Sequence, residues 1–188
     1  MSSLCYIQAR GGSKRFPRKA LALWNGKPMV ADAIEKAKAT GLFDYIAVSS
    51  DDPEILQVAV DYGVLPLWRS AKASSDTATD DDVAKEVLGG FNIKHDIICK
   101  LYPCIPLIEI EDIKNAYSQV RRHNKSGAYL VDTFGNDAGA CYIFWNYEYK
   151  GIKSISLNIF PWTKLLALGA CDINTPEDLE IAKMKAGK

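Results

Sequence analysis

The chain has 188 residues, enough for one domain or one domain with a small appendage. Hydrophobic residues make up 48% of it and charged residues 24%, a globular mix that builds a core without disulfides or a structural metal. Lys plus Arg and Asp plus Glu balance at 23 each, and zero net charge argues against a dedicated nucleic-acid or anionic-membrane binder.

Strand and helix signals alternate along the chain. Residues 4–8 read as a short apolar strand ending at Arg10-Gly11-Gly12. Residues 30–40 put Val30, Ile34 and Ala37 on one helical face after Pro28, and Gly41 ends that helix. Residues 45–48 form a second strand. Asp52-Pro53 opens a helix, with Asp as cap and Pro in the first turn, that stops at Gly63. Residues 79–88 are helical, and Asp80, Asp81 and Asp82 suit its first turn without any ligand, because the helix dipole favours acids there.

Residues 95–101 form a buried strand broken by Tyr102-Pro103. Residues 110–123 are a helix with Ile113, Ala116, Tyr117 and Val120 on one face, and 127–131 and 140–145 are further strands. The last helix opens at Thr175-Pro176-Glu177-Asp178 with capping-box spacing. Repeated β-α-β with buried strands predicts an α/β fold: a mostly parallel sheet with helices on both faces, doubly wound and contained in one domain over 1–188. Ligands in such folds bind beyond the carboxyl ends of the strands, which directs attention to residues 9–19, 49–52 and 102–106.

Cys5, Cys99, Cys104, Cys141 and Cys171 are odd in number and lack CxxC spacing, so they read as free, mostly buried thiols of a reducing compartment. With only His95 and His123, a zinc site or a His-driven hydrolase is not expected. The N-terminus carries no basic start followed by an apolar signal region, and no apolar run is long enough to span a bilayer, so the expected location is the cytoplasm.

The strongest chemical signal is Ala9-Arg10-Gly11-Gly12-Ser13-Lys14-Arg15-Phe16-Pro17-Arg18-Lys19, which holds five cations and no acid. Two glycines directly after a strand let backbone N–H groups approach a ligand. The flanking cations supply counter-charge for a polyphosphate and for a departing pyrophosphate. The loop is neither a Walker A motif nor GxGxxG.

This loop resembles the signature of the acylneuraminate cytidylyltransferases, the CMP-nonulosonate synthetases. Further stretches match in order: Gly26-Lys27-Pro28-Met29, Val48-Ser49-Ser50-Asp51-Asp52-Pro53-Glu54-Ile55, Asp76-Thr77-Ala78-Thr79, Leu101-Tyr102-Pro103-Cys104-Ile105-Pro106 and Asp172-Ile173-Asn174. Asp137-Ala138-Gly139 followed by Tyr142 resembles the branch that acts on pseudaminic acid.

The resemblance implies a Rossmann-like nucleotidyltransferase fold with a small dimerisation extension. It implies attack of a sugar's anomeric hydroxyl on the α-phosphorus of CTP, assisted by Mg²⁺. By position, Ala9, Arg10, Gly11, Gly12, Ser13, Lys14 and Lys19 would hold the triphosphate, with Arg10 and Lys19 as the catalytic cations. Arg69 and the stretch with Ser75, Asp76 and Thr79 would lie by the cytidine. Tyr102, Cys104 and Pro106 would border an acidic acceptor sugar. Asp172, also catalytic, and Asn174 would occupy the metal position.

Four departures accompany the match. Asn174 stands where the family has a second metal carboxylate, so metal affinity should fall. Ala20 stands where an Asn usually follows the loop's last Lys, and Ala140 where a Gln often follows Asp-Ala-Gly. The sugar-binding and dimerisation region around 126–165 is short, with only Asp132-Thr133-Phe134-Gly135-Asn136 between Val131 and Asp137. Homodimerisation, a different acceptor, and a non-catalytic nucleotide-binding paralogue all stay open at this point.

Other prominent residues have plainer explanations. One of Asp51 and Asp52 is explained by capping. Cys104 is expected to be a buried inert thiol. Trp24-Asn25-Gly26-Lys27 is expected to be a tight turn. Trp68, Trp145 and Trp162 are expected in a core or an interface.

Overall fold

The computed structural model describes residues 1–91, 95–123, 127–146, 163–167, 169 and 171–187. Nine strands and six helices follow in chain order: β1 (Ser3–Gln8), β2 (Leu23–Trp24), β3 (Lys27–Pro28), α1 (Met29–Thr40), β4 (Tyr45–Ser50), α2 (Pro53–Asp61), β5 (Leu65–Trp68), α3 (Ala71–Ser74), α4 (Asp80–Gly89), β6 (Ile97–Leu101), α5 (Ile110–His123), β7 (Gly127–Val131), β8 (Asp137–Trp145), β9 (Thr163–Leu166) and α6 (Pro176–Lys185). Seven strands make one sheet in the order β5-β4-β1-β6-β8-β7-β9. All pairings are parallel except those of β8, which runs antiparallel to both β6 and β7. The mostly parallel sheet predicted from sequence is present.

Strand alternation supplies the two faces. Cys5 and Ile7 of β1 point to one side, where they pack with Val30 and Ile34 of α1, Ile55 of α2 and Ile113 of α5. Leu4 and Tyr6 point to the other, against Val83, Ala84 and Val87 of α4. Local chemistry fixes the helix ends. Asp52 caps α2 by accepting from the Glu54 amide at 2.9 Å, with Pro53 in the first turn. Thr79 with Asp82 opens α4, and Thr175 with Asp178 opens α6, each as a full capping box. Asn25 (φ 53°) and Gly26 (φ 78°) turn the β2–β3 hairpin, the tight reversal expected there.

Strand β5 went unread in the sequence. It lies at the sheet's edge and contains Pro66, which an edge strand tolerates because one N–H row has no ladder partner. Trp68 on this strand is 64% exposed, so it is not a core residue. Trp145 packs against the main core, as expected, and Trp162 lies outside the described residues. Strands β7 and β8 are joined by a turn held by Asp132, whose Oδ1 accepts from the Phe134 and Asn136 amides at 2.8 and 2.9 Å. All five cysteines are free, and four are buried. Among the described residues, no helix is long and apolar enough to cross a membrane.

Candidate active site

Strands β1, β4 and β6 are parallel and in register, so Gln8, Ser50 and Leu101 end at one edge of the sheet. A cavity of about 630 Å³ opens there. Its walls hold Gln8, Ala9, Arg10, Ser13, Lys14, Arg15, Lys19, Ala20, Arg69, Tyr102, Pro103, Cys104, Gly139, Tyr142, Asp172 and Asn174. The fold thus gathers ten of the residues expected from sequence: Ala9, Arg10, Ser13, Lys14, Lys19, Arg69, Tyr102, Cys104, Asp172 and Asn174. Gly11, Gly12, Ser75, Asp76, Thr79 and Pro106 do not line it.

The loop after β1 is held from β4's end. The Gly11 amide donates to Asp51 Oδ1 at 2.9 Å, and the Gly11 carbonyl accepts from the Arg18 amide at 3.0 Å. A Cβ on Gly11 would sit 2.8 Å from Asp52 Oδ2, so glycine is required by close approach. Arg18, in left-handed backbone at φ 54°, sends its guanidinium to Asp52 at 2.7 and 3.0 Å and to Glu54 at 2.8 Å. That pair holds the Asp52 carboxyl below its usual range, chiefly through the Arg18 hydrogen bonds. Both aspartates of the acidic turn therefore act on the loop, and Arg18 anchors it rather than facing the cavity.

The other four cations face the cavity and are cross-braced. Arg10 donates to the Ser75 carbonyl at 3.4 Å and pairs with Asp76 Oδ1 at 3.2 Å. Lys14 pairs with Asp76 Oδ2 at 2.6 Å, and Lys14 is the main reason that the Asp76 carboxyl lies below its usual range. Asp76 thus meets the cations from outside the cavity wall. Thr79 is committed to capping α4, and the Pro106 carbonyl accepts from Lys36 on the α1 side. Lys19 donates to the Ile173 carbonyl at 2.9 Å and to Asn174 Oδ1 at 3.3 Å, and lies 4.0 Å from Asp172.

Asn174 sits at the centre of the far wall. Its Oδ1 also accepts from Arg15 at 2.9 Å, and its Nδ2 donates to Asp172 Oδ2 at 2.7 Å. An amide suits this spot because one end faces two cations and the other a carboxylate. Among the described residues, no group of three His, Cys, Asp or Glu could chelate a metal ion. One carboxylate with an adjacent amide fits a hard cation that arrives with phosphate oxygens and keeps several waters.

Arg69 is buried, donating to Ser49 Oγ at 3.1 Å and to the Ser49 carbonyl at 2.7 Å, and burial holds its pKa down. Burial pushes the Cys104 thiol up to about 12, so it is no nucleophile near neutral pH, as expected. Tyr142 donates to Asp137 at 2.7 Å, and its pKa is raised by burial first and by Asp137 second. Sequence reasoning named Arg15 as one of the loop's cations but gave no site role to Gln8, Gly139 or Tyr142, which line the cavity, or to Lys100 behind them. It also read Asp80 as a helix-end acid only, and the structure corrects this. The capping is done by Thr79 and Asp82, while Asp80 binds Lys100, Tyr102 and Gln8. A lysine inside the apolar run 97–101 was the one signal available.

A doubly wound sheet with a cation-lined cavity at its carboxyl edge, beside one half-exposed acid, suits a polyphosphate ligand. Residues 4–142 match the cytidylyltransferase family model. A pseudaminic acid cytidylyltransferase of Campylobacter jejuni is 32% identical over 222 aligned positions, covering 98% of this chain and 96% of that protein. The fold is also that of a CMP:2-keto-3-deoxy-manno-octonic acid synthetase complexed with CTP (TM-score 0.80, 18% identity, 100% and 99% of the two chains). A Mycobacterium tuberculosis protein complexed with manganese is similar in fold as well (TM-score 0.72, 12% identity, 97% and 98%). The chain belongs to the cytidylyltransferase family.

Proposed function

We propose that this protein transfers CMP from CTP to the anomeric hydroxyl of an acidic nonulosonic sugar, with pseudaminic acid as the favoured acceptor, and releases pyrophosphate. The observation that carries the reading is one cavity lined by Arg10, Lys14 and Lys19 together with Asp172. The end-to-end likeness to pseudaminic acid cytidylyltransferase supports the choice of acceptor.

In this reading, Arg10, Ser13, Lys14 and Lys19 hold the triphosphate, while the Gly11 amide is spent on Asp51 and fixes the loop. Charge that develops on the departing pyrophosphate is met by cations already fixed in place by Asp76 and Asn174. Arg69, rigid on Ser49, borders the nucleoside. Tyr102 and Cys104 border the acceptor. The acceptor oxygen forms a bond to the α-phosphorus, the bond to the bridging oxygen breaks, and pyrophosphate leaves. Asp172 would hold Mg²⁺, which would supply charge neutralisation for the triphosphate. Asn174 holds Asp172 and Lys19 in register.

The test is pyrophosphate release from CTP and Mg²⁺ across a panel of nonulosonic acids, with the other nucleoside triphosphates as controls. Release with CTP and pseudaminic acid is the expected result. Release with another acid instead reassigns the acceptor. Silence across the panel together with measurable CTP binding overturns the catalytic reading in favour of a nucleotide-binding paralogue.

A further inference from the structure

Behind the acceptor side of the cavity lies a charge network that neither helix capping nor phosphate binding explains. Lys100, on β6 in the middle of the sheet, is 1% exposed. Its ammonium donates to Asp80 Oδ2 at 2.7 Å. It also lies 4.1 Å from the ring centroid of Tyr142 and 5.2 Å from that of Tyr102. The other oxygen of Asp80 accepts from the Tyr102 hydroxyl at 2.7 Å and from Gln8 Nε2 at 3.2 Å. One carboxylate at the start of α4 thus ties down groups on β1, on β6 and just beyond β6.

The cost of this arrangement argues that it does more than hold the fold. A buried ammonium with one carboxylate partner contributes little net stability compared with apolar packing of the same volume. Gln8 turns its amide nitrogen to Asp80, and its Oε1 is left buried with no hydrogen-bond partner. Yet Gln8, Tyr102 and Tyr142 are the network's members that form the cavity wall. Tyr142 is in edge contact with Tyr102 and stacked on Tyr129, so the two wall tyrosines form one aromatic block over the Lys100 ammonium.

We infer that Asp80 and Lys100 are positioning residues for the acceptor: Asp80 locks the Tyr102 hydroxyl, Lys100 holds Asp80 and supports both rings, and together they set the shape of the wall the sugar meets. This rests on the reading that Tyr102 borders the acceptor. It assigns the pair to acceptor recognition rather than to CTP binding, because the triphosphate cations are braced by Asp76 and Asn174 instead.

Steady-state kinetics of the full chain with CTP, Mg²⁺ and pseudaminic acid separate the roles. Tyr102→Phe keeps the ring and removes the hydroxyl, and Asp80→Asn removes the charge that holds it. Each is expected to raise the acceptor KM roughly tenfold, the scale of one hydrogen bond to a charged group, while the KM for CTP stays within about twofold. In a double-mutant cycle, Asp80→Asn adds little once Tyr102 is Phe, because both remove the same tether. If Asp80→Asn alone does not fold, the neutral pair Asp80→Asn with Lys100→Met takes its place and shows the same split. Additive effects, an equal rise in both KM values, or an unchanged acceptor KM overturns the inference. A parent protein that releases no pyrophosphate overturns the functional reading beneath it, a distinct outcome.

Discussion

The proposed nucleotide side and the proposed acceptor side of the cavity are built in opposite ways. The nucleotide side is one continuous loop, with five cations in residues 9–19, set by contacts to an acidic turn and to the segment before α6. Its charges are at least partly exposed, apart from what the brace residues cover. The acceptor side is a largely aromatic wall drawn from β1, β8 and the segment just beyond β6, with the buried Lys100 ammonium behind it on the half-exposed Asp80. The contrast shows two ways of fixing a binding surface. Phosphate needs cations and backbone donors that a single local stretch can deliver. A sugar face needs shape, and shape comes from packing between distant segments.

The largest effect that sharpens this contrast is expected from Lys19→Ala. It removes the cation that joins the loop to Ile173 and Asn174, and turnover should fall at least about a hundredfold, as for loss of one transition-state donor. Thermal unfolding should barely move, since the loop rather than the core is touched. Turnover near that of the parent would break the assignment of the loop to triphosphate.

A smaller change is expected from Asn174→Asp. A second carboxylate beside Asp172 should lower the half-saturating Mg²⁺ concentration several-fold, because hard cations favour charged oxygen ligands. A metal titration that superimposes on that of the parent would remove position 174 from the metal's surroundings.

The smallest effect is a pH dependence that belongs to the nucleotide side's anchor. Arg18 holds the Asp52 carboxyl below its usual range, so this pair's contribution is fully present above the unfolded value of about 4 and is lost as pH falls through the folded value. The Tm difference between the parent and Asp52→Asn should therefore be largest near neutral pH and shrink below about pH 4. A constant difference across that range would show that Asp52 acts through capping alone.

Much of this was legible without coordinates. The apolar runs of β1 and β4, the caps at Asp52 and Thr175, and the Asn25-Gly26 turn are encoded within a few residues of where they act. β5 was not legible, because Leu-Pro-Leu-Trp carries no alternation and its pairing partner decides its state. Asp80 was misread for a related reason. Three acids at a helix start look alike in sequence, and only the neighbours across the sheet separate the capping Asp82 from the cross-linking Asp80.

The sequence by itself determined the α/β class and the run of five cations directly after the first strand, because periodicity, caps and a local run of like charge are short-range properties. The tertiary structure alone decided which cations face the cavity, that Arg18 is an anchor, that Asn174 bridges Lys19 and Asp172, and that Lys100 lies against the rings of Tyr102 and Tyr142. Those facts depend on contacts between residues up to 159 positions apart, such as Arg15 with Asn174. Only packing of the chain around the open sheet brings such residues within reach of a hydrogen bond.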